Sequence, residues 1–330
     1  MSSFPLVSVI IPCFNAERFL TETVESVLQQ TLQEYEIILI DDGSTDNTRE
    51  VILSLISRFG SQIQAKFGPN GGVSAARNRG TELAKGEFIQ YLDADDLLRT
   101  NSLAKRVEAL VNSGADVAYS DWQKLEEDED GVFRPGVIIS RRIEDIHPDP
   151  EVALFTDFWA PLAALLYRRS IVDAIGGWRD SLPIIQDARF ALDAALHKGK
   201  FVYVPGVGAD YRVHRTDSLS RRDPIAFNRD IFKSATEVEE WWKRDGVITE
   251  ARSQALIKVY GYVARASFER DREIFEAAYQ VLERLNPGYI PKSPRHLKLA
   301  SQLLGYRRAE NIALWYRQVK SPLNSIRKKN

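Results

Sequence analysis

The stretch GEFIQYLDADDLL, Gly86 to Leu98, decides the fold. Its first half is an apolar run that reads as a buried strand. Its second half sets three carboxylates, Asp93, Asp95 and Asp96, together at that strand's carboxyl end. Like charges on one short turn repel each other and call for a compensating charge. A hard divalent cation satisfies them, because clustered oxygen ligands suit magnesium or manganese, and magnesium binds through one or two carboxylates plus substrate phosphates. The competing reading has one aspartate capping the next helix and the others solvated. Neighbouring segments arbitrate.

Upstream, VSVII (Val7 to Ile11) reads as a strand buried on both faces and ended by Pro12, with CFNAE as its loop. Leu20, Val24, Val27 and Leu28 recur at helical spacing, and the next apolar run, YEIILI, stops at DDGSTDNT. Asp46 or Asn47 is placed to cap a helix that turns Val51, Leu55 and Ile56 inward and ends at Gly60. A strand near Ile63 to Phe67 leads through GPNGG to a helix with Val73, Ala76, Gly80 and Leu83 on one face, closed by Gly86. Strands alternating with helices predict an α/β fold, a mainly parallel sheet flanked by helices. Such sheets bind ligands beyond the carboxyl ends of their strands. Those ends carry Pro12 and Asn15, Asp41 and Asp42, the glycine loop, then Asp93 and Asp95. No G-x-G-x-x-G follows the first strand and no G-x-x-x-x-G-K-[ST] is present, which disfavours a dinucleotide fold and a P-loop ATPase.

Composition is that of an ordinary globular enzyme. Over 330 residues, 44 Lys and Arg face 46 Asp and Glu, a balance that argues against a nucleic-acid-coating protein or a disordered chain. Cys13, the single cysteine, cannot make an internal disulfide and is consistent with a reducing compartment. The apolar run near the amino terminus lacks a basic n-region and contains Pro12, so it reads as a first strand and not a signal peptide. No apolar span reaches about 18 residues, so no membrane-spanning helix is expected.

In the second half, Leu103, Val107, Leu110 and Val111 predict a helix ended by Gly114, and ADVAYSDW a strand. LEEDEDGVFRPG reads as a solvated hairpin tip. Trp159 and Trp178 are candidates for stacking on sugar rings or for the core. Asp187 opens a helix carrying Phe190, Ala194 and His197, where the helix dipole favours a carboxylate.

The segments VSVIIPCFNAERFLTETVESVLQQT, EIILIDDGSTDNT, NGGVSAARNRG and GEFIQYLDADD, in this order, resemble the successive motifs of family 2 glycosyltransferases with the GT-A fold. The resemblance is close over the first hundred residues and recognisable to about residue 220. It implies a catalytic domain over 1–222, with a nucleotide-sugar half (1–100) and an acceptor half (101–222), followed by a helical region (223–330). By the same resemblance, Pro12 through its backbone, Asn15, Asp42, Arg77, Asp93 and His214 would bind a nucleoside diphosphate sugar, with a UDP-sugar foremost. Asp95, Asp93 and His214 would hold Mn2+ or Mg2+, Asp96 would cap the turn that follows, and Asp187 would be the catalytic base. The family carries Glu-Asp there, and this chain has Gln186 before Asp187. DYRVHRTDSLS resembles the closing segment, with Tyr211, Arg212, His214, Ser218 and Ser220 in matching places.

The resemblance implies a metal-dependent, inverting transfer to a glycan or lipid-linked glycan acceptor in polysaccharide, lipopolysaccharide or glycoconjugate assembly. The Q-x-x-R-W signature and membrane helices of processive relatives are not found, so single addition is expected. Competing readings are a non-catalytic nucleotide-sugar or glycan-binding protein and a nucleotidyltransferase; the second would carry a basic, glycine-rich loop where CFNAE stands. From Arg295 to Asn330, nine basic residues face one acid, Glu310, with Leu297, Leu303, Leu304, Ile312, Trp315 and Val319 between them. That pattern suits either a peripheral contact with the inner face of a membrane in a cytoplasmic enzyme, or docking on an acidic neighbour.

Overall fold

The computed structural model describes residues 5–215, 222–246 and 248–315. The chain forms two compact units, Met1–Arg222 and Asp223–Asn330.

In the first unit β1 (Val7–Cys13), α1 (Leu20–Leu28), β2 (Tyr35–Asp42), α2 (Thr48–Phe59), β3 (Ile63–Gly68), α3 (Val73–Leu83) and β4 (Phe88–Tyr91) follow in order. The pairs β2–β3, β1–β2 and β1–β4 are all parallel. Every residue of β1 is buried, as a strand covered on both faces requires. β1 continues through Pro12, where a break was expected. The Ile10 carbonyl accepts from Leu92 on the β4 side, so Pro12, two residues on, presents its missing N–H to that same side. Pairing with β4 has already ended at Ile10, and no ladder bond is lost. Helix α3 packs closely on the sheet because Gly80 has no side chain; a Cβ there would lie 2.3 Å from Ile10 Cγ2. It ends at Leu83, ahead of Gly86.

Beyond β4 the sheet becomes mixed. β5 (Leu97–Leu98), α4 (Ser102–Ser113), β6 (Val117–Glu127), β7 (Phe133–Ile139), α5 (Ile143–Ile146), α6 (Pro150–Thr156), β8 (Leu165–Arg168), α7 (Arg169–Ile175), α8 (Gln186–Leu196) and β9 (Phe201–Val213) complete the order β3-β2-β1-β4-β8-β6-β9-β5, with β7 paired on β6 as the expected hairpin. Helix α4 buries Leu103, Val107 and Leu110, whereas Val111 is 62% exposed and Arg106 takes an interior place. Arg106 donates to Gln90 Oε1 and the Ala163 carbonyl, both at 2.8 Å, and to the Gly208 carbonyl at 3.3 Å. It thereby ties β4, β9 and the turn before β8 together without a carboxylate partner, and burial pushes its guanidinium down to about 9.

The second unit contains α9 (Pro224–Arg244), α10 (Glu250–Ser267), α11 (Arg272–Leu285) and α12 (Arg295–Leu304). Asp223, Thr249 and Asp271 cap the first three by accepting first-turn N–H groups. Trp242, Tyr260, Phe275 and Leu282 are fully enclosed. Among the described residues no helix is long and apolar enough to cross a membrane. Ser218, Ser220 and Val319 lie outside the described residues, as do the basic residues of 316–330.

Candidate active site

The ends of β1 and β2 and the loop before α3 enclose a cleft of about 340 Å3, with Pro12, Phe14, Asp42, Gly71 and Gly72 on its wall and Asp180 and Pro183 from the loop before α8 closing it. Asp42 is nearly saturated within this wall. Its Oδ1 accepts from Gly71 N at 3.0 Å and from Arg79, and its Oδ2 accepts from Gly72 N at 2.8 Å. A carboxylate offers about four acceptor sites, so roughly one remains for a ligand donor, on Oδ2. Gly43 makes the approach possible: its φ is +77°, and a Cβ would stand 2.6 Å from Asn70 N. Arg79 was not singled out in the sequence. Two positions from Arg77 on one helix, it projects in a different direction, and each arginine meets its own aspartate.

Asn15 ties the loop after β1 to the loop after β2. With φ of 51°, it donates its N–H to Ser44 Oγ at 3.0 Å and accepts from Thr45 N at 2.8 Å. Ala16 N donates to Thr48 Oγ1 at 2.7 Å, so the loops after β1 and β2 are zipped together. An asparagine tolerates this left-handed backbone better than most residues.

The carboxylates gather at the carboxyl end of β4. Arg77, buried in α3, donates to Asp93 Oδ1 at 2.6 Å and lies 4.4 Å over the ring of Trp178. Trp178 is itself core, stacked on Phe190 at 4.0 Å. Desolvation raises the Asp93 carboxyl above its usual range against the pull of Arg77, and the charges of Asp95 and Asp187 add to the rise. Asp95 Oδ2 lies 2.8 Å from His214 Nε2, and Glu127 Oε2 faces the other ring nitrogen at 3.9 Å. Phe19 and Phe133 pack edge-on against the imidazole at 5.4 and 5.2 Å. Asp96 does not cap the following turn; its buried Oδ1 accepts from Arg212 N at 3.0 Å and latches the turn to β9. Burial, then Asp95 and Asp93, push its carboxyl well up.

Asp187 arrives from the first turn of α8. Its Oδ1 accepts the Ala188 N–H at 2.7 Å and its Oδ2 accepts the indole N–H of Trp159 at 2.9 Å. Tyr211 of β9 links this group to the others. Burial first, and then Asp96, Asp93, Asp187 and Asp95, all hold its hydroxyl in the protonated form. The Tyr211 ring also lies 5.4 Å from that of Trp159, the donor to Asp187.

The expected metal ligands are distributed: Asp95 and His214 meet, while Asp93 turns to Arg77. Among the described residues, no three His, Cys, Asp or Glu side chains are grouped so as to hold a metal ion. The donor chemistry nonetheless fits a hard cation, since carboxylate oxygens and an imidazole nitrogen are the available atoms, and burial, with neighbouring acids adding to it, raises Asp93 and Asp96.

A model of the family described as glycosyl transferase family 2 matches residues 8–175. The uncharacterized glycosyltransferase EpsJ of Bacillus subtilis is 26% identical over 314 residues, covering 92% of this chain and 84% of that protein. Among solved structures, Staphylococcus aureus TarS 1-349 in complex with UDP-GlcNAc superposes with a TM-score of 0.68 at 18% identity, over 94% of this chain and 91% of that one. The mannosyltransferase PcManGT from Pyrobaculum calidifontis, in complex with GDP-Man and Mn2+, gives 0.58 at 17% identity, over 98% and 83%. At such identities the solved structures speak for the fold alone. The family model, spanning just over half the sequence from β1 to α7, carries the assignment: the chain belongs to glycosyl transferase family 2 and is a glycosyltransferase.

Proposed function

We propose that this enzyme moves a sugar from a nucleoside diphosphate sugar, a UDP-sugar foremost, to a hydroxyl of a glycan or lipid-linked glycan, with inversion and one addition per encounter. The observation that carries the reading is the set of carboxylates at the strand ends, Asp93 on Arg77, Asp95 on His214 and Asp187 on Trp159, with α3, which carries Arg77, also lining the cleft walled by Pro12 and Asp42. The base of the nucleotide would enter the cleft, where the Pro12 backbone and the last open site on Asp42 Oδ2 face it. Asp95, with His214 and Asp93 as further donors, would hold Mn2+ or Mg2+, which when bound supplies positive charge for the departing diphosphate. Arg77 is buried against Asp93, so it acts by orienting that carboxylate. Asp187 would take the proton of the acceptor hydroxyl as that oxygen attacks from the face opposite the leaving group, a single displacement that inverts the anomeric centre.

A thermal-shift panel of UDP-GlcNAc, UDP-glucose, UDP-galactose and GDP-mannose, each with and without MnCl2, tests the donor side. Selective stabilisation by one sugar nucleotide that requires Mn2+ and disappears in Asp95→Ala is expected. A flat panel, or an Asp95→Ala protein that behaves as the native one, refutes it.

For location we propose peripheral contact with an anionic membrane. On and after α12, Leu299, Leu303 and Trp315 are 62, 84 and 64% exposed beside the exposed Arg295 and Lys298, which supports an apolar and basic surface. Co-sedimentation with phosphatidylglycerol vesicles but not phosphatidylcholine vesicles is expected, and equal partition to both or neither counts against it.

A further inference from the structure

We infer that Trp159 is a positioning residue for Asp187, one that sets the plane of the carboxylate through its indole N–H; this rests on the reading of Asp187 as the base. Trp159 lies in the irregular segment between α6 and β8, and its neighbour Phe158 anchors that segment by packing edge-on against Tyr119 at 5.3 Å. The indole is then held between two further rings. It meets Trp122 at 5.5 Å and 90°, and Tyr211 at 5.4 Å and 74°, while Trp122 and Tyr211 meet each other at 5.6 Å and 84°. Three near-perpendicular rings leave the indole little room to turn, so its one polar atom has a fixed aim.

That aim is Asp187 Oδ2, at 2.9 Å. The opposite oxygen accepts the Ala188 N–H at 2.7 Å. One donor on each oxygen fixes rotation of the carboxylate, and each oxygen keeps a lone pair free for an incoming hydroxyl. An indole N–H donates and cannot accept a proton, so Trp159 acts only by orienting and by charge-assisted hydrogen bonding. On the same turn Gln186, standing where the family carries glutamate, is buried with its Oε1 unpartnered. The ring wall and the base are therefore one unit, built from β6, β9, α8 and the segment before β8.

The test compares the native protein with Trp159→Phe, which keeps a ring and removes the donor, using the sugar nucleotide of that panel that stabilises the protein most. UDP or GDP release is followed with water and with alkyl glycosides as acceptors. Trp159→Phe is expected to lower kcat roughly tenfold to a hundredfold, the scale of one hydrogen bond to a charged group, with the donor KM changed by less than about twofold. Unchanged kcat overturns the inference, and so does a loss shared between kcat and KM with a fallen melting temperature, since that marks a wall residue. In 15N-indole spectra the Trp159 signal, assigned by its absence from Trp159→Phe or Trp159→Tyr, is expected to move and exchange faster in Asp187→Ala; an unmoved signal also overturns it. Asp187→Asn separates the two levels. If it retains native turnover the base reading itself falls, whereas an inactive Asp187→Asn beside an unimpaired Trp159→Phe removes only the role of Trp159.

Discussion

Two groups of buried acids, Glu239 and Asp271 in the helical unit and Asp93 and Asp96 at the end of β4, are treated in opposite ways. In the helical unit Glu239 and Asp271 are matched by cations. Burial works against ionisation of Glu239, yet Lys243 and Arg284, each 2.6 Å from its Oε1, outweigh it and hold the carboxyl below its usual range. Arg229, at 2.6 Å, does the same for Asp271, helped by the N–H of Ile274. In the catalytic unit Asp93 and Asp96 are pushed upward, because burial and neighbouring acids exceed the cations supplied. The first arrangement is complete without a ligand. In the second, burial and neighbouring acids outweigh the cations, and under the proposed function the contrast separates acids that hold the fold from acids that would meet a ligand.

The comparison breaks most visibly at Asp187. Asp187→Asn keeps the size of the side chain but leaves an acceptor for only one of the two N–H groups, and under the proposed function it removes the base. Transfer is expected to fall by about 10²- to 10⁴-fold, with the donor-induced thermal shift retained. Loss of donor binding together with activity would place Asp187 on the donor side of the site, contrary to the division proposed above.

The next effect concerns a cation that has no acid at all. Arg106→Met relieves the cost of burying a guanidinium but strips donors from Gln90 Oε1 and the carbonyls of Ala163 and Gly208. Three orphaned acceptors at about 1 to 3 kcal/mol each exceed the gain, so we expect a net loss of about 2 to 3 kcal/mol by urea unfolding. A neutral or stabilised variant would mean that desolvation of Arg106 dominates.

Arg106 also marks where sequence reading stopped. Apolar periodicity located α1 to α4 because their buried faces repeat at helical spacing, and the four strand-end motifs, in their order, pointed to the edge where the cleft opens. The same periodicity put Val111 inward and overlooked Arg106, since an arginine is assigned to solvent unless its acceptors, here on β4, β9 and a distant turn, are known. Asp95 and His214 were legible as a pair because both stand in motifs. Trp159 against Asp187 was not: the contact joins an irregular segment to a helix terminus, and no spacing encodes it. Arg79 was hidden by its neighbour Arg77, which the family motif names first.

The two remaining predictions are a matched pair with opposite signs. Glu239→Gln should destabilise at pH 7 by about 1 to 2 kcal/mol, because Lys243 and Arg284 lose their anion while Tyr260 keeps an acceptor. A depressed carboxyl contributes stability above its unfolded pKa and loses it as pH falls through the folded value. The difference between native and variant melting temperatures should therefore shrink below about pH 4.5. A difference that persists unchanged at low pH would mean that packing, not charge, is what Glu239 supplies.

Asp96 should respond in the reverse sense and by less. Its carboxyl is raised, so the folded protein binds its proton more tightly than the unfolded chain does. Native stability from this group is then full below the unfolded value, about pH 3.9, and declines as pH rises toward the folded value. Asp96→Asn fixes the neutral state and leaves a carbonyl oxygen to accept the Arg212 N–H, so the latch to β9 survives. The variant should melt higher than the native protein at pH 8, by about 0.5 to 1 kcal/mol, and nearly equal to it at pH 4. Lower stability at pH 8 would show that the Asp96 charge is used in the fold, and the catalytic unit would then pair its acids in the same way as the helical one.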